Sequence, residues 1–479
     1  MTDIPKIQVR EIRFSILPTQ TRFPFRYGIA AMTEAPHWFV RCELEVNGEM
    51  AVGLASEGLP PKWFTKNGDT SFEEDDYPGM KRVIVQAAAF AKAIDEPLSF
   101  FDFWQALKRQ QDQWAVREAI PPLLAQLGTA LMERAVLDAL SRFLERPLHC
   151  LVADNVLGVR LGEVHSELEG VKMAKAFGRA PLASVCARHT VGLADPLTDS
   201  DISESERIDD GLPHSLVSNI HHYGLTHFKL KLCGDLETDR DRLRELTALF
   251  ALEAPENYRV TIDGNEQYSN VEAFRDHFLE HAADSEIAPI FDHLIFVEQP
   301  IHRDHALSDA VRAGFENWKN APPVIIDESD SSVGSLSRAL ELGYAGTSHK
   351  NCKGIVKSLA NRVLLDQVGG VMSAEDLANL GPVALLQDLA MVALLQIDHV
   401  ERNGHHYFAG LSMYPDSLQG ATLAANPDLY ATSEKEFPAL RITDGRISLN
   451  SINVAPFGVG LEVACFDKVG RLEVTGSTR

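Results

Sequence analysis

The sequence predicts an α/β protein in which a parallel β-barrel follows a mixed N-terminal region. From about residue 183, short apolar runs alternate with amphipathic helical segments, and such repeated strand–helix units form parallel sheets. The chain has 479 residues, enough to close the sheet into a barrel and to form a second module. Charged residues also stand at the ends of successive apolar runs, where a barrel would gather them at its C-terminal mouth.

The N-terminal part is predicted to begin with strands and to continue with helices. Residues 7 to about 60 contain β-branched and aromatic runs, of which Trp38–Val46 is the longest. Residues 80 to 147 carry apolar residues at helical spacing and are predicted to be helical. The tail from about Ile442 to Val474 is predicted to return to strand structure.

The barrel strands are predicted from short apolar runs, several of which end in a charged residue. These runs are Ala183–Gly192, His227–Leu232, Arg259–Asp263, His293–Glu298, Val324–Asp327, Tyr344–His349 and Gly369–Met372. Helical segments lie between them; one is capped by Asn270 and places Val271 and Phe274 on one face.

The sequence contains two long acidic loops, residues 66–76 and 194–213, and the second does not fit the strand–helix repeat. We interpret the second as a solvated surface insertion. The alternative is a lid, because loops that follow barrel strands lie on the active-site face.

Composition excludes several classes of partner. The 68 acidic residues outnumber the 45 Lys and Arg residues, and the net charge of −23 disfavours nucleic acid or an anionic membrane as partner. The six cysteines are scattered, which is typical of reduced thiols in a cytoplasmic protein. We also expect no signal peptide and no bilayer-spanning segment.

The charged residues at the strand ends follow one order along the chain. In sequence order they are Lys229, Lys231, Asp263, Glu298, Asp327 and Lys350. Each alone would be an ordinary turn, cap or solvated residue, but the spacing of about one strand–helix unit makes chance a poor explanation. Lys229 and Lys231 share strand parity and are expected to point the same way.

This set of residue types indicates metal-assisted proton transfer. Three carboxylates from adjacent strands suit a hard divalent cation such as Mg²⁺. Loss of the proton next to a carboxylate gives an enediolate, whose charge such a cation stabilises. Lysines on opposite sides of the metal would move the proton.

Five motifs in this order resemble the muconate lactonizing enzyme subgroup of the enolase superfamily, which is mandelate racemase/muconate lactonizing enzyme-like and includes dipeptide epimerases and o-succinylbenzoate synthases. The motifs are Lys229–Leu230–Lys231, Asp263–Gly264–Asn265, Glu298–Gln299–Pro300, Asp327–Glu328–Ser329 and Lys350–Asn351–Cys352–Lys353–Gly354. Residues 23–28 are similar to the family's N-terminal loop that closes over substrate, and the resemblance covers most of the chain.

The resemblance implies a modified TIM barrel, (β/α)7β, with an α+β capping domain made by the N-terminal region and the C-terminal tail. The expected boundaries are 1–150 for the capping domain, 151–435 for the barrel and 436–479 for the segment that returns to the cap.

It also implies roles for single residues. Mg²⁺, or Mn²⁺ in its place, would be held by Asp263, Glu298 and Asp327. Lys231 and Lys350 would be the acid/base groups on opposite faces, with Lys229 modulating Lys231. Further candidates, which would contact the substrate or support these groups, are Asn265, Glu328, Lys353, Glu375, Phe25 and Tyr27.

One departure from the family pattern concerns the eighth strand. Dipeptide epimerases of the subgroup carry an Asp–x–Asp pair there, and we assign the matching stretch to His405–Leu411, which has no such pair. Dipeptide specificity is therefore disfavoured.

An isomerase or a lyase is the implied class of enzyme. Racemisation or epimerisation of an amino-acid-derived or other carboxylate is the leading hypothesis because both Lys231 and Lys350 are present. β-Elimination of the o-succinylbenzoate synthase or dehydratase type and cycloisomerisation are alternatives, since the subgroup performs them with the same residues. A non-catalytic carboxylate-binding barrel is a third. A small carboxylate substrate and a homo-oligomer are expected.

Overall fold

The N-terminal strands form an antiparallel sheet and a separate hairpin in the computed structural model, which describes residues 4–376 and 378–473. The strands are β1 (Ile7–Leu17), β2 (Gln20–Tyr27), β3 (Ala30–Glu34), β4 (His37–Val46) and β5 (Glu49–Gly58). β1, β4 and β5 are hydrogen-bonded neighbours, whereas β2 pairs only with β3 within the described chain. The prediction of strands over residues 7 to about 60 is confirmed.

A group of helices follows the sheet. They are α1 (Tyr77–Ala93), α2 (Phe100–Arg117), α3 (Pro122–Phe143), α4 (Leu148–Ala153) and α5 (Met173–Phe177). Of this group, α1 and α3 pack against the sheet. α3 lies against β5 so closely that a Cβ at Gly53 would stand 2.1 Å from the carbonyl oxygen of Ala135. Any side chain there would push the helix away from the sheet.

The second part of the chain is a parallel sheet that is nearly closed into a barrel. Its strands are β6 (Ser184–Val191), β7 (His227–Lys231), β8 (Arg259–Asp263), β9 (Leu294–Glu298), β10 (Val324–Ile326), β11 (Gly346–His349), β12 (Val371–Ala374) and β13 (His399–Arg402). They lie side by side in chain order, and β13 pairs with β6.

Helices connect the parallel strands. They are α6 (Leu216–Tyr223), α7 (Leu236–Glu253), α8 (Val271–Ala283), α9 (Ala288–Phe291), α10 (Arg303–Ala306), α11 (Ala310–Glu316), α12 (Ser335–Leu342), α13 (Ile355–Val368) and α14 (Ala384–Leu394). Helical segments fill all the connections between β6 and β13, which confirms the (β/α)7β barrel with an α+β cap. None of the helices in the described parts of the chain is both long and apolar enough to cross a bilayer.

The eighth strand does not lie where the sequence analysis placed it. That strand is β13 (His399–Arg402), and most of the predicted stretch His405–Leu411 instead follows the strand as α15 (Gly404–Tyr407) and a turn. The chain turns at Asn403, whose carbonyl oxygen accepts N–H groups from His406 and Tyr407. The prediction was wrong because the true strand has a single aliphatic residue, Val400, and gives a weak apolar signal.

The tail also contains less strand than predicted. Its elements are α16 (Asp416–Ala425), β14 (Tyr430–Thr432), β15 (Pro438–Leu440), β16 (Arg446–Ser448), α17 (Asn450–Val454) and β17 (Arg471–Glu473). Between β16 and β17 the chain packs on α14, where a Cβ at Gly458 would lie 2.4 Å from the carbonyl oxygen of Leu386. Val474, the predicted end of the strand region, lies outside the described residues.

The two ends of the tail contact different parts of the molecule. β16 pairs with β6 of the barrel and β17 with β1 of the cap. The domain boundaries near residues 150 and 435 remain predictions.

Candidate active site

The strand register brings the predicted site residues together at the barrel mouth. Lys231, Asp263 and Glu298 are neighbours at the ends of β7, β8 and β9. Asp327 directly follows β10 and Lys350 directly follows β11. β11 stands four places from β7 in the strand order of an eight-stranded barrel, so Lys231 and Lys350 come from opposite sides of the mouth.

Lys229 lies in the middle of the acidic groups. Its Nζ is 3.0 Å from Asp263 Oδ2, 2.7 Å from Glu298 Oε2 and 2.8 Å from Glu401 Oε2. Burial would by itself lower the pKa of Lys229, but the surrounding carboxylates outweigh it and raise that pKa well above its ordinary value.

The two predicted acid/base lysines each contact a carboxylate. Lys231 Nζ donates a hydrogen bond to Asp263 Oδ2 at 2.6 Å. Lys350 Nζ donates to Asp327 Oδ1 at 2.6 Å and also to Glu375 Oε2. Burial opposes the charged form of Lys350, yet Asp327 and Glu375 raise its pKa well above the ordinary value.

The acidic groups fit a divalent cation. One carboxylate oxygen each from Glu298, Asp327 and Glu375 lies within 4.8 Å of the others, and all three residues are buried. Burial, together with repulsion from Asp263 and Glu375, raises the pKa of Glu298 well above its ordinary value. A doubly charged cation with oxygen ligands would relieve that repulsion.

The closest group of acids differs by one residue from the predicted metal set. Asp263 was predicted to join Glu298 and Asp327, whereas Glu375 completes the closest group of acids among the described residues. Asp263 instead contacts the ammonium groups of Lys229 and Lys231, which compete for its oxygens. The predicted set and the closest group together contain four carboxylates, those of Asp263, Glu298, Asp327 and Glu375, and the ligand set stays a prediction.

Buried polar groups support these residues from below. Lys353 Nζ donates to Asp327 Oδ1 at 2.7 Å and to Ser348 Oγ at 2.8 Å. Arg188, inside the barrel, donates to Glu375 Oε1 at 3.2 Å. Lys353 thus contacts Asp327 from below and does not line the cavity.

A small cavity of about 50 Å³ lies over the charged residues at the strand ends, which form the floor of the site. Its apolar wall consists of Phe25, Tyr27, Met32, Pro60, Trp63 and Ala378. Its polar lining consists of Lys229, Lys231, Asp263, Asn265, Asp327, Glu328, Lys350, Asp376, Glu401 and Asn403. The structure therefore brings together all predicted site residues, with Glu298, Lys353 and Glu375 attached through the contacts described above.

Glu328 and Asn265 occupy different positions at the rim. Oε2 of Glu328 accepts no hydrogen bond from the described residues, and burial followed by repulsion from Asp327 raises the pKa of Glu328 to about 8. Asn265 Oδ1 accepts the N–H of Gly28 at 3.0 Å and so ties the turn after β2 to the barrel.

Glu401 was missed because the eighth strand was misplaced. It shares strand parity with His399, and its Oε1 accepts a hydrogen bond from Thr190 at 2.6 Å inside the barrel. Glu401 and Asn403 both line the cavity, so the misplaced strand contributes an acidic and an amide side chain to the site, although it too lacks an Asp–x–Asp pair. Alternation along residues 399–403 was the signal that could have revealed them.

A larger cleft of about 890 Å³ lies on the other side of β2, next to the acidic loop at 194–213 and α7. It contains none of the lysine and carboxylate residues of the barrel mouth. We therefore place the candidate site at the smaller cavity.

The chain is similar to known proteins in its three-dimensional structure. Neither a family model nor the sequence of a curated protein matches the chain. A mandelate racemase/muconate lactonizing protein from Herpetosiphon aurantiacus superposes with a TM-score of 0.61 at 17% identity, over 95% of this chain and 99% of the other.

Two further solved structures are similar over nearly the full length. An enolase from Bradyrhizobium, complexed with magnesium and mandelic acid, has a TM-score of 0.58 at 14% identity, over 99% of this chain and 100% of the other. A muconate lactonizing enzyme from Pseudomonas fluorescens, complexed with muconolactone, has a TM-score of 0.59 at 16% identity, over 97% and 99%. The chain therefore has the fold of the mandelate racemase/muconate lactonizing enzymes of the enolase superfamily.

Proposed function

We propose that the chain is a metal-dependent enzyme that removes the proton α to a substrate carboxylate and returns it, as a racemase or epimerase of an amino-acid-derived or other carboxylate. The observation that supports this most is the placement of Lys231 and Lys350 at the ends of two strands from opposite sides of one cavity, with carboxylates between them. Two lysines in such positions reach the two faces of one α-carbon.

In this mechanism, one lysine takes the α-proton and the other delivers a proton to the opposite face of the planar intermediate. Mg²⁺ or Mn²⁺ bound to Asp263, Glu298 and Asp327, with Glu375 adjoining, would supply the positive charge that stabilises the enediolate. The Bradyrhizobium protein, similar in fold, was solved with magnesium and mandelic acid, which supports a metal and a small carboxylate here.

The chain's own residues fix the lysines and exclude water. Asp263 holds the ammonium of Lys231, and Glu375 holds that of Lys350. Trp63 covers Lys350, with the ring centroid 5.1 Å from Nζ. A closed apolar wall strengthens the electrostatic interactions at the floor and keeps solvent from competing for the proton.

β-Elimination and cycloisomerisation are the second candidate. The muconate lactonizing enzyme of similar fold was solved with muconolactone, and the same lysine and acid set would serve a lactone-forming reaction. A homo-oligomer and a cytoplasmic location remain predictions.

The test is hydrogen exchange at the α-carbon. The Mg²⁺-loaded protein is incubated in heavy water with N-acyl amino acids, dipeptides and hydroxy acids, each as separate enantiomers. Deuterium at the α-carbon together with loss of chirality is expected for at least one acid. Loss of water, or lactone formation, without racemisation would replace the proposal by the second candidate.

Single-lysine variants sharpen the test. Lys231→Ala and Lys350→Ala should each lose racemisation, and each should still exchange the α-proton of one enantiomer, a different one in the two variants. The exposed Lys319→Ala is the matched control and should behave as the wild type. Racemisation at the wild-type rate in both site variants would overturn the proposal.

A further inference from the structure

The two acidic loops that stand out in the sequence each contribute one residue to a largely buried ion pair beside the apolar wall of the cavity. Asp210 of the loop 194–213 pairs with Arg22, and Lys66, the first residue of the loop 66–76, pairs with Glu266 of the barrel. We propose that the pairs Arg22–Asp210 and Arg303–Glu266–Lys66 are two latches that hold this wall over the site, and that their residues are positioning residues. The expected effect of the latches on catalysis rests on the proposed function, whereas their expected effect on the mobility of the wall does not.

The first latch joins the lid hairpin, defined as residues 20–34, to the acidic insertion 194–213. Arg22 Nε is 2.5 Å from Asp210 Oδ2, and Nη2 is 2.9 Å from Oδ1, which is a bidentate pair. The remaining donors of Arg22 reach the carbonyl oxygens of Leu212, Pro213 and His406. The Arg22 side chain is only 3% exposed.

The second latch joins the Trp63 loop, defined as residues 59–66, to the barrel. Arg303 Nε and Nη2 each lie 2.7 Å from a carboxylate oxygen of Glu266. Lys66 Nζ lies 2.8 Å from Glu266 Oε2. Arg303 also donates to the carbonyl oxygens of Trp63 and Phe64, so the carboxylate of Glu266 organises the loop that carries Trp63.

The two latched segments contact each other directly. Tyr27 Oη donates to the carbonyl oxygen of Pro61 at 2.7 Å, which joins the lid hairpin to the Trp63 loop. The Phe25 ring stacks on that of Tyr407, with centroids 4.0 Å apart. Phe25, Tyr27 and Trp63 therefore form one wall that is anchored at both ends.

Burial distinguishes these pairs from ordinary surface salt bridges. Exposed pairs contribute little, whereas removing one partner of a buried pair leaves an uncompensated charge in a poorly solvated place. Glu266 is 1% exposed and faces two cations, so its removal leaves both without their carboxylate. A loosened wall would misplace substrate and admit water, which lowers catalytic efficiency.

Hydrogen–deuterium exchange of the full chain tests the latches without any substrate. Asp210→Asn should speed amide exchange in the lid hairpin by on the order of tenfold, and Glu266→Gln should do so in the Trp63 loop, with the barrel strands unchanged. The matched controls are Asp209→Asn, whose exposed carboxylate contacts Lys435, and Glu280→Gln, whose exposed carboxylate contacts Arg240. Exchange in the latch variants equal to that in their controls would overturn the proposal.

Kinetics form the second arm once a substrate is known. Each latch variant should lower kcat/KM by about tenfold to 10²-fold, through both KM and kcat. Asp210→Glu, which keeps the charge, should recover part of the loss. Wild-type kinetics in both latch variants would show that the wall needs no latch.

The two proposals fail in different ways. A chain without activity on any carboxylate would still show faster exchange in the latch variants if the latches exist. If Glu266→Gln does not fold, Lys66→Met, which leaves Arg303–Glu266 intact, replaces it in the exchange measurement, and unchanged exchange in the Trp63 loop would then count against the second latch.

Discussion

The floor and the wall of the cavity are built in different ways. The floor consists of charged residues at the ends of neighbouring strands, and their order in space is their order in the chain. The wall, apart from Ala378, comes from the N-terminal region. The segments that carry its aromatic residues Phe25, Tyr27 and Trp63 are held by residues near 210, 266 and 303. The comparison teaches that a barrel supplies the charges of such a site by local periodicity, whereas long-range contacts determine its enclosure.

The largest expected effect lies in the floor. Asp327→Asn removes the charge to which Lys350 and Lys353 donate, and it should lower turnover by about 10³-fold. Isothermal titration calorimetry should show weakened Mg²⁺ binding. Asp309→Asn is the control, since that side chain is 90% exposed and pairs with Arg338. If Asp327→Asn kept the turnover and the Mg²⁺ affinity of the wild type, the proposed role of Asp327 in the floor would be wrong.

A buried ion pair at the junction of cap and barrel should contribute strongly to stability. Arg134 on α3 donates to Glu57 of β5 with both side chains almost fully buried, and Asn379 of the barrel also donates to Glu57. Arg134→Ala would leave the carboxylate unpaired and should lower the free energy of unfolding by about 3–5 kcal/mol. Urea unfolding followed by circular dichroism measures this, and Arg117→Ala on the exposed end of α2 is the control.

A similar loss of stability in both variants would show that the pair contributes nothing specific to the junction of cap and barrel.

The pH dependence of stability tests how the cap supports the floor. Glu133 on α3 accepts the N–H groups of Ile355 and Val356 at the start of α13, just after Lys353. Burial raises the pKa of Glu133 to about 7 from an ordinary 4.5. Between pH 4.5 and 7, Glu133 is therefore protonated more often in the folded state than in the unfolded state. As the pH rises through this range, the free energy of unfolding should fall by about 3 kcal/mol because of this group.

Glu133→Gln keeps an acceptor oxygen but cannot ionise, so its unfolding free energy should fall less between pH 4.5 and 7 than that of the wild type. Urea unfolding at several pH values is the measurement. An unchanged slope would mean that Glu133 is not the group that links stability to pH in this range.

The smallest effect is expected in the wall. Trp63→Phe keeps an apolar side chain but places a smaller ring over Lys350. The cation–π contact should weaken by about 1 kcal/mol. This loss corresponds to an increase in KM of about fivefold, and kcat should change little. Steady-state kinetics separate the two constants. A fall in kcat as large as that of Lys350→Ala would contradict the division between a charged floor and an enclosing wall.

Much of the floor could be predicted from sequence. Strand alternation and the strand–helix spacing placed Lys231, Asp263 and Glu298 side by side, and the register of β7, β8 and β9 confirms this. Glu401 escaped because four residues with one aliphatic side chain carry little periodic signal. The sequence also did not predict that Glu375 lies close to Glu298 and Asp327. This arrangement depends on the distances at which Lys229 and Lys231 contact Asp263, and such distances exist only in the folded chain.

The roles of the acidic loops could not be predicted for a related reason. The partners in each latch lie far apart in the chain, as Arg22 and Asp210 do, and Lys66 and Glu266. No local sequence pattern in one segment indicates which distant residue it contacts. The insertion 194–213 was interpreted as solvated, and many of its acids are exposed, yet Asp195, Leu197 and Ile202 are buried.

By itself the sequence determined the barrel, the order of charges at its mouth and the residue types that suit a divalent cation, because backbone periodicity places side chains within each strand–helix unit. Only the tertiary structure decided which carboxylates lie closest together, where the eighth strand runs and what encloses the cavity. Those features depend on contacts between distant segments, and their energies arise from burial and charge pairing that exist only once the chain has folded.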